Sequence, residues 1–232
     1  MSFTDWDIYG TTNITRFVTS NGVKEVSFAA LAANELAVAA PAGIPILGTG
    51  SSHMHIGSGE SMNVLPKFPG FLATDRGFIA GKIRTILQWY NQGGVEHFGI
   101  AALQSVLNLT TGTFNAYGLA CNTSGGNNNI NIAQFDNTTV TGWTPLAISA
   151  PNAFSNGVPL AVEFEWDASS LTAVLLVVRT GTALNFSNLS VLISYIDTVN
   201  PHVTSVGEGL WAAGVSSDVV VYWDNTTIYK RI

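Results

Sequence analysis

GEGLWAAGVSSDVVVYWDNTTIYKR, residues 207–231, is the stretch that decides the fold. Its centre alternates strictly, so Val219, Val221 and Trp223 share one face of a strand, because strand side chains point alternately to the two faces. Asp224-Asn225 is expected to break this strand, since both residues suit turns, and the β-branched and aromatic residues beyond it predict a second short strand. A buried strand at the end of the chain must insert between strands already formed. We therefore expect the N- and C-terminal parts to be neighbours in one sheet.

Short apolar runs separated by Gly, Asn, Ser and Thr fill the rest of the chain. Runs at intervals of roughly 8–14 residues, with turn signals between them, are typical of a β-sandwich. Residues 77–90 also fit a helix, but their Thr, Ile, Trp and Tyr favour a strand. Residues 116–122 and 129–135 predict a hairpin closed by the loop SGGNNN. A helix at residues 31–39 and a small-residue strand at residues 35–40 fit equally well. Further strands are predicted at residues 44–48, 53–56, 97–107, 159–167, 173–179 and 190–195.

Composition separates this chain from an ordinary cytoplasmic enzyme. Its 232 residues suit one large all-β domain. Only 10% of them are charged, where roughly a quarter is usual, so Asn, Thr, Ser and Gly must supply the polar surface. Such a surface is typical of extracellular and virion proteins. The net charge of −6 and the nine scattered Lys and Arg residues argue against nucleic acids and anionic membranes as partners.

The N-terminal sequence MSFTDWDIYG has neither the basic nor the apolar region of a secretory signal. The most apolar run, residues 28–47, contains Asn34, Glu35 and two prolines, which interrupt any span of about 20 apolar residues. A surface of the extracellular type without an export signal predicts a virion localisation, since viral proteins leave the cell by lysis.

Residues 1–20 are predicted to form an N-terminal arm, and residues 21–232 a single β-sandwich domain. Trp6, Tyr9 and Phe17 make the arm apolar, and exposed apolar patches mark interfaces. We therefore expect these three residues to contact a partner. The partner would be another virion protein, such as a capsid or tail subunit, or a second copy in a homo-oligomer such as a trimer.

A longer pattern resembles a known superfamily. Residues 162–184, VEFEWDASSLTAVLLVVRTGTAL, contain an aromatic strand that ends in Trp-Asp, a short turn, and an alternating strand that closes on Arg-Thr-Gly. With residues 207–231, this pattern resembles the concanavalin A-like lectin/laminin-G jelly roll over residues 75–231. The resemblance implies an all-β fold of two antiparallel sheets. Such jelly rolls also occur in the structural proteins of tailed phages, on capsids, tails and fibres.

Three carboxylates alternate along one predicted strand. Glu163, Glu165 and Asp167 share a face, with neighbours about 7 Å apart, which is within reach of the separations that paired-carboxylate glycosidases use. Jelly-roll glucanases carry a Glu-x-Asp-x-x-Glu array on one strand, and the order Glu-x-Glu-x-Asp departs from it. The simpler interpretation is a solvated strand face, so we predict no catalytic residue.

Metal ligands are not predicted. His53 and His55 point the same way on a short strand, but no third ligand stands at a recognisable spacing. Asp-Asn pairs offer oxygen ligands for calcium, which some members of the resembled family bind at a sheet edge, but turn chemistry is the simpler explanation. The single cysteine, Cys121, is interpreted as a small buried hydrophobic residue.

Aromatic residues and one loop are the candidates for glycan contact. Large ring faces with polar rims can stack on sugars, and from the aromatic residues we select Trp89, Tyr117 and Trp211. The loop that closes the predicted hairpin carries Asn127 and Asn128 at an exposed tip, a position that often carries binding in sandwich proteins. The remaining aromatic candidates are Tyr90 and Trp143.

Together these features favour a non-enzymatic virion protein that acts by protein–protein contact. A capsid decoration (cement) protein and a tail or fibre component both fit. The alternative is a carbohydrate-binding, lectin-like module, which could contact a cell-surface glycan. A glycoside hydrolase that uses Glu163 and Glu165 is the weaker alternative.

Overall fold

The computed structural model describes residues 6–11, 14–19, 22–27, 52–56, 61–67, 79–91, 93–108, 113–138, 142–204, 208–214, 216 and 219–231. These residues form fifteen β-strands and one short 3-10 turn at Ser124–Gly126. The strands are β1 (Trp6–Thr11), β2 (Ile14–Thr19), β3 (Gly22–Ser27), β4 (Ser52–Ile56), β5 (Ser61–Lys67), β6 (Ala80–Tyr90), β7 (Glu96–Asn108), β8 (Thr113–Asn122), β9 (Asn129–Thr138), β10 (Thr144–Ile148), β11 (Leu160–Ser170), β12 (Ala173–Gly181), β13 (Ser190–Asp197), β14 (Gly209–Gly214) and β15 (Val219–Arg231). No helix in the described ranges is long and apolar enough to cross a membrane.

The strands form two antiparallel sheets. Sheet A has the order β1-β15-β6-β11-β12-β13, and β4 also pairs with β15. Sheet B has the order β10-β9-β8-β7-β14-β5-β2-β3. Consecutive strands β6 and β7 lie in different sheets, so the loop between them marks one end of the sandwich. The β8–β9 turn lies at the same end, since His97 at the start of β7 pairs with Asn122 at the end of β8.

Strand β15 occupies the position expected of it. It pairs with β6 on one side and with β1 and β4 on the other, and Trp6 lies opposite Arg231. The prediction that the two ends of the chain are neighbours in one sheet is confirmed. The predicted break at Asp224-Asn225 is wrong, because β15 continues through these residues with a bulge between Asp224 and Thr227. A bulge takes up extra residues while the neighbouring strands hold the chain in the sheet.

The other described segments bear out the strand predictions. Residues 80–90 form a strand rather than a helix, and β8 and β9 form the predicted hairpin. Residues 53–56 fall in β4. The predictions for residues 31–39 and 44–48 lie outside the described residues. Strands β1 and β2 lie within residues 1–20 and join sheet A and sheet B respectively, so much of the predicted arm is sheet.

The core lies between the sheets and follows from the alternation of each strand. On β11, Val162, Phe164 and Trp166 point into the core, while Glu163 and Glu165 point outward. Cys121 is fully buried in this core, as predicted, and burial raises the pKa of its thiol. The core also contains Ile83, Leu87, Phe98, Ile100, Leu119, Ile130, Ile132, Val174, Leu176, Val178, Val221 and Trp223.

Candidate functional site

The turn that joins β8 to β9 has a backbone that its sequence suits. Gly125 and Gly126 have φ values of 68° and 73°, and Asn128 has a φ of 45°. Glycine adopts this left-handed region without steric cost, and asparagine tolerates it better than most residues. The chain therefore reverses tightly here and leaves the Asn127 side chain exposed and that of Asn128 half-buried.

A neighbouring loop, residues 149–158, holds this turn in place. The backbone N–H of Asn152 donates to the carbonyl of Asn127 at 2.7 Å, and that of Ala153 donates to Asn128 at 3.0 Å. The Asn129 amide donates to the carbonyl of Ser149 at 2.8 Å. These bonds occupy backbone groups of the turn, so its exposed side chains project from a fixed frame.

A row of polar side chains crosses sheet B next to the turn. His97 on β7 lies opposite Asn122 on β8, and Asn122 lies opposite Asn129 on β9. Trp143, just before β10, packs its ring edge-on against His97, with ring centroids 5.1 Å apart. We call the outward side chains of His97, Asn122, Asn127, Asn128, Asn129 and Trp143 the hairpin-end surface. All six are half-buried or exposed, so a ligand can reach them.

Two ring nitrogens of the hairpin-end surface have unmet hydrogen-bonding capacity. Nδ1 of His97 and Nε1 of Trp143 are enclosed and make no hydrogen bond to any protein group that the structure describes. Buried polar atoms in folded proteins nearly always have a partner, so each exception requires an explanation. Burial lowers the pKa of His97, and the neighbouring Asn122 raises it by a smaller amount. The imidazole is therefore neutral at pH 7, and the surface carries no charge.

The three aromatic residues selected from the sequence for glycan stacking are buried. Trp89, Tyr117 and Trp211 have at most 2% of their surface exposed, so their ring faces are closed to a sugar, and these three predictions are wrong. Alternation along a strand does not show which faces of a sandwich are covered. Of the predicted glycan contacts, Asn127 and Asn128 remain accessible and stay predictions.

Trp89 and Trp211 both pack against other aromatic rings of the protein. The indole N–H of Trp89 donates to the buried carboxylate of Glu96, and its ring packs against Phe98 and Phe154. Trp211 packs edge-on against Phe135 on the outer side of sheet B, at 5.5 Å between centroids. Its Nε1 also makes no described hydrogen bond.

Tyr117 belongs to a separate cluster away from the hairpin end. Its hydroxyl donates to the buried Asp197 and accepts the backbone N–H of His202 at 3.1 Å. Burial raises the pKa of Tyr117, and the hydrogen bond to Asp197 raises it further. Burial also lowers the pKa of His202. The tyrosine therefore acts as a neutral donor that satisfies a buried carboxylate.

Two of the three carboxylates of β11 are not solvated, which corrects the interpretation from sequence, while Asp167 is half-buried. Glu163 and Glu165 are 2% and 4% exposed. Glu163 accepts from Nε of Arg84 at 2.5 Å and from Arg179 at 2.6 Å, and Lys82 lies 3.7 Å away. Arg179 also reaches Glu165 at 2.5 Å. We call these five side chains the sheet A ion cluster.

Aromatic rings cover part of the sheet A ion cluster. The guanidinium of Arg84 lies over the ring of Tyr229 at 5.3 Å and over that of Phe186 at 5.9 Å. Desolvation lowers the pKa of Lys82, and the charge of Glu163 opposes that shift. Both glutamates are thus engaged by cations, and neither faces an open cleft in which a general acid would work.

The remaining predicted residues lie as follows. Trp6 and Tyr9 are on β1 and Phe17 is on β2, and their contact with a partner stays a prediction. His53 and His55 are on β4. In the part of the chain that the structure describes, no group of three or more His, Cys, Asp or Glu side chains could hold a metal ion.

Sequence reasoning did not select the two residues that make the hairpin-end surface distinctive. Trp143 is one of several aromatic candidates in the sequence, and no pattern in the sequence distinguishes His97. Only the pairing of β7 with β8 and the path of the chain into β10 bring them together. A hairpin register read from the sequence could have placed Asn122 beside Asn129, but not Trp143 beside His97.

No protein-family model and no curated protein matches the sequence. Solved structures match the fold. The legume lectin-like domain from Entamoeba histolytica superposes with a TM-score of 0.50 at 11% identity, covering 94% of this chain and 90% of that one. The VIP36 exoplasmic/lumenal domain, in its Ca2+/Man3GlcNAc-bound form, has a TM-score of 0.50 at 9% identity, with 100% and 86% covered. These comparisons confirm the expected fold, a two-sheet jelly roll of the lectin-like type.

Proposed function

We propose that this protein is a non-enzymatic carbohydrate-binding, lectin-like module whose hairpin-end surface contacts the glycan. The observation that carries the proposal is the pairing of Trp143 with His97. Both side chains are half-buried, so part of each ring stays open to a ligand, and the two rings pack edge-on with centroids 5.1 Å apart. The lectin-like fold supports this assignment by analogy. The VIP36 domain, which has a similar fold, is described in a form bound to Man3GlcNAc.

The chemistry of the hairpin-end surface suits a neutral sugar. An indole face packs against the apolar C–H face of a pyranose ring. Amide groups both donate and accept, so Asn122, Asn127 and Asn129 match vicinal hydroxyls, which have the same double capacity. With His97 neutral, no charged side chain belongs to this surface, so an acidic sugar would find no counterion there.

The arrangement of the carboxylates favours binding over hydrolysis. A glycosidase needs one carboxyl group with a raised pKa and a second one facing the same cleft. Glu163 and Glu165 instead share Arg179 and are nearly excluded from solvent. The weaker alternative of a glycoside hydrolase therefore has no support from its only candidate residues.

The proposal is tested by screening the purified protein on a glycan array and measuring the best neutral glycan by calorimetry. Trp143→Ala and His97→Ala should each weaken binding by about tenfold or more, because a stacking face or a hydrogen-bond partner is lost. Leu171→Ala is the control, since Leu171 is 80% exposed on the β11–β12 turn, at the other end of the sandwich. Equal affinity in all three variants, or no neutral glycan bound at all, would refute the proposal.

A second candidate concerns where such a module works. The low charged fraction of the sequence supports a place on a virion, as a capsid decoration protein or a tail or fibre component. Antibodies against the protein, carried on gold particles, should then label the surface of purified virions in electron micrographs. Particles without label, with the protein left in the supernatant, would reject this role and leave the glycan proposal untouched.

A further inference from the structure

Strand β13 is the last strand of sheet A. Among the described residues it pairs only with β12. An edge strand presents a row of backbone N–H and C=O groups that can pair with another chain. Its apolar side chains also favour contact with another chain, since Val191 and Ile196 are 58% and 60% exposed.

Exposed charge and proline do not protect this edge against pairing. Natural edge strands are commonly blunted by Lys, by other charges or by Pro. Residues 180–196, TGTALNFSNLSVLISYI, contain none of these. The first charged residue beyond them, Asp197, is buried and accepts the Tyr117 hydroxyl. In a chain with a net charge of −6, a neutral edge is where a second copy meets the least repulsion.

A bulge gives β13 an unusual pattern of faces. Val178 pairs with Ile193, but the next residue of β12, Arg179, pairs with Val191, so Leu192 is an extra residue. Leu192, Ile193 and Tyr195 pack against the core, and Val191, Ser194 and Ile196 are exposed. The three exposed side chains therefore lie on one side of the sheet, which strict alternation would not allow.

We propose that β13 pairs antiparallel with β13 of a second copy, about a twofold axis through Ser194. Ser194 then lies opposite its own counterpart. The bulge shifts the register by one residue on each side, which places Ile196 of one copy opposite Val191 of the other. The outward row is self-complementary, with two apolar pairs around a central pair of serines.

This geometry closes after two copies. An isologous contact uses the same patch on both subunits and leaves no free patch for a third, so the assembly is a dimer with sheet A continuous across the axis. Sheet B adds apolar contact area next to this edge, because Ile148 on its last strand, β10, is 59% exposed. The contact uses no residue of the hairpin-end surface, so it is independent of glycan binding.

The sharpest test is a disulfide across the axis. Directly paired strand residues have Cα atoms about 4.5–5.5 Å apart, which is within the range that a disulfide bridges. Ser194→Cys should therefore convert most of the protein to a covalent dimer under mild oxidation. The native Cys121 is fully buried and does not compete. Ser170→Cys is the matched control, since Ser170 is also exposed but lies at the end of β11, away from the β13 edge.

Light scattering after gel filtration supplies the second readout. The wild-type protein should have the mass of a dimer, and Ile196→Lys should be monomeric with an unchanged circular dichroism spectrum. Leu171→Lys, which adds the same charge at another exposed apolar site, should stay dimeric. The proposal is overturned if the wild-type protein is a monomer or a trimer, or if the two cysteine variants crosslink at the same rate.

Discussion

The outer faces of the two sheets differ in how their polar side chains are paired. On sheet A, buried charges stand in contact with one another, and Glu163 alone meets three cations. On sheet B, the hairpin-end surface has no charge, and ring nitrogens of His97 and Trp143 have no described partner. Both faces come from strands of the same type, so strand pairing does not cause the difference.

This difference indicates that the outer face of sheet A serves stability, whereas the hairpin-end surface serves recognition. A buried ion cluster is satisfied internally, and removing one member leaves buried charge less well compensated. A neutral surface of partly exposed amides and rings contributes little to folding but can gain partners from a ligand. Substitutions on sheet A should therefore change the free energy of unfolding and leave affinity alone, and substitutions on the hairpin-end surface should do the reverse.

The largest effect is expected for Glu163→Gln. This change removes the carboxylate that lies between Arg84, Arg179 and Lys82, so the free energy of unfolding should fall by about 3 kcal/mol. Glu165→Gln should cost less, because the described ion pair of Glu165 is with Arg179, which is partly exposed. Urea titration measures both values. Asp136→Asn is the control, since Asp136 is exposed and should shift stability by less than about 0.5 kcal/mol.

Glycan affinity is the second readout for these variants. It should not change in Glu163→Gln at a temperature where the protein stays folded. A variant that loses affinity in proportion to its lost stability would break the separation between the two faces.

The alternation of apolar residues was sufficient to predict the sheets. On β15, Val221 and Trp223 share a face and are buried in the core, and on β11 the aromatic residues face inward as the pattern requires. Period-2 patterning is local information, and a strand must obey it wherever one face is covered. The bulge at Asp224 was missed because turn-prone residues indicate a departure from regular pairing without showing whether the strand ends there.

The sites were not predictable in the same way, because their partners are distant in the chain. Glu163 meets Arg84, which is 79 residues away, and Arg179, which is 16 residues away. The alternation of carboxylates showed that they share a face, but it could not show that cations cover it. Trp143 and His97 likewise meet only after β8 and β9 have paired.

The next effect is smaller and tests the neutral face. Trp143→Phe deletes an enclosed indole N–H that has no described partner, so it should change the free energy of unfolding by no more than about 1 kcal/mol. Affinity for the neutral glycan should still fall, since the stacking face shrinks. Trp211→Phe is the matched control, because its Nε1 is equally unpaired but its side chain is fully buried. It should leave affinity unchanged, and equal losses in both variants would place the ligand elsewhere.

The smallest effect is a pH dependence of stability that the ion cluster does not explain. Burial lowers the pKa of His97 and of His202 below the usual value of 6.5. At a pH between the folded and unfolded pKa values of a histidine, the unfolded chain binds more protons than the folded protein. The stability is therefore fully present above pH 6.5 and is lost as the pH falls through the lowered pKa values. The loss should not exceed about 1.4 kcal/mol per pH unit for each histidine.

Urea titrations between pH 5 and pH 7 measure this slope above the range where most carboxylates titrate. His202→Gln and His97→Gln should each flatten it, and Leu171→Ala should retain it in full. A slope that survives in the double histidine variant would assign the acid sensitivity to other groups. The neutral character of the hairpin-end surface would then need a direct titration of His97 by NMR.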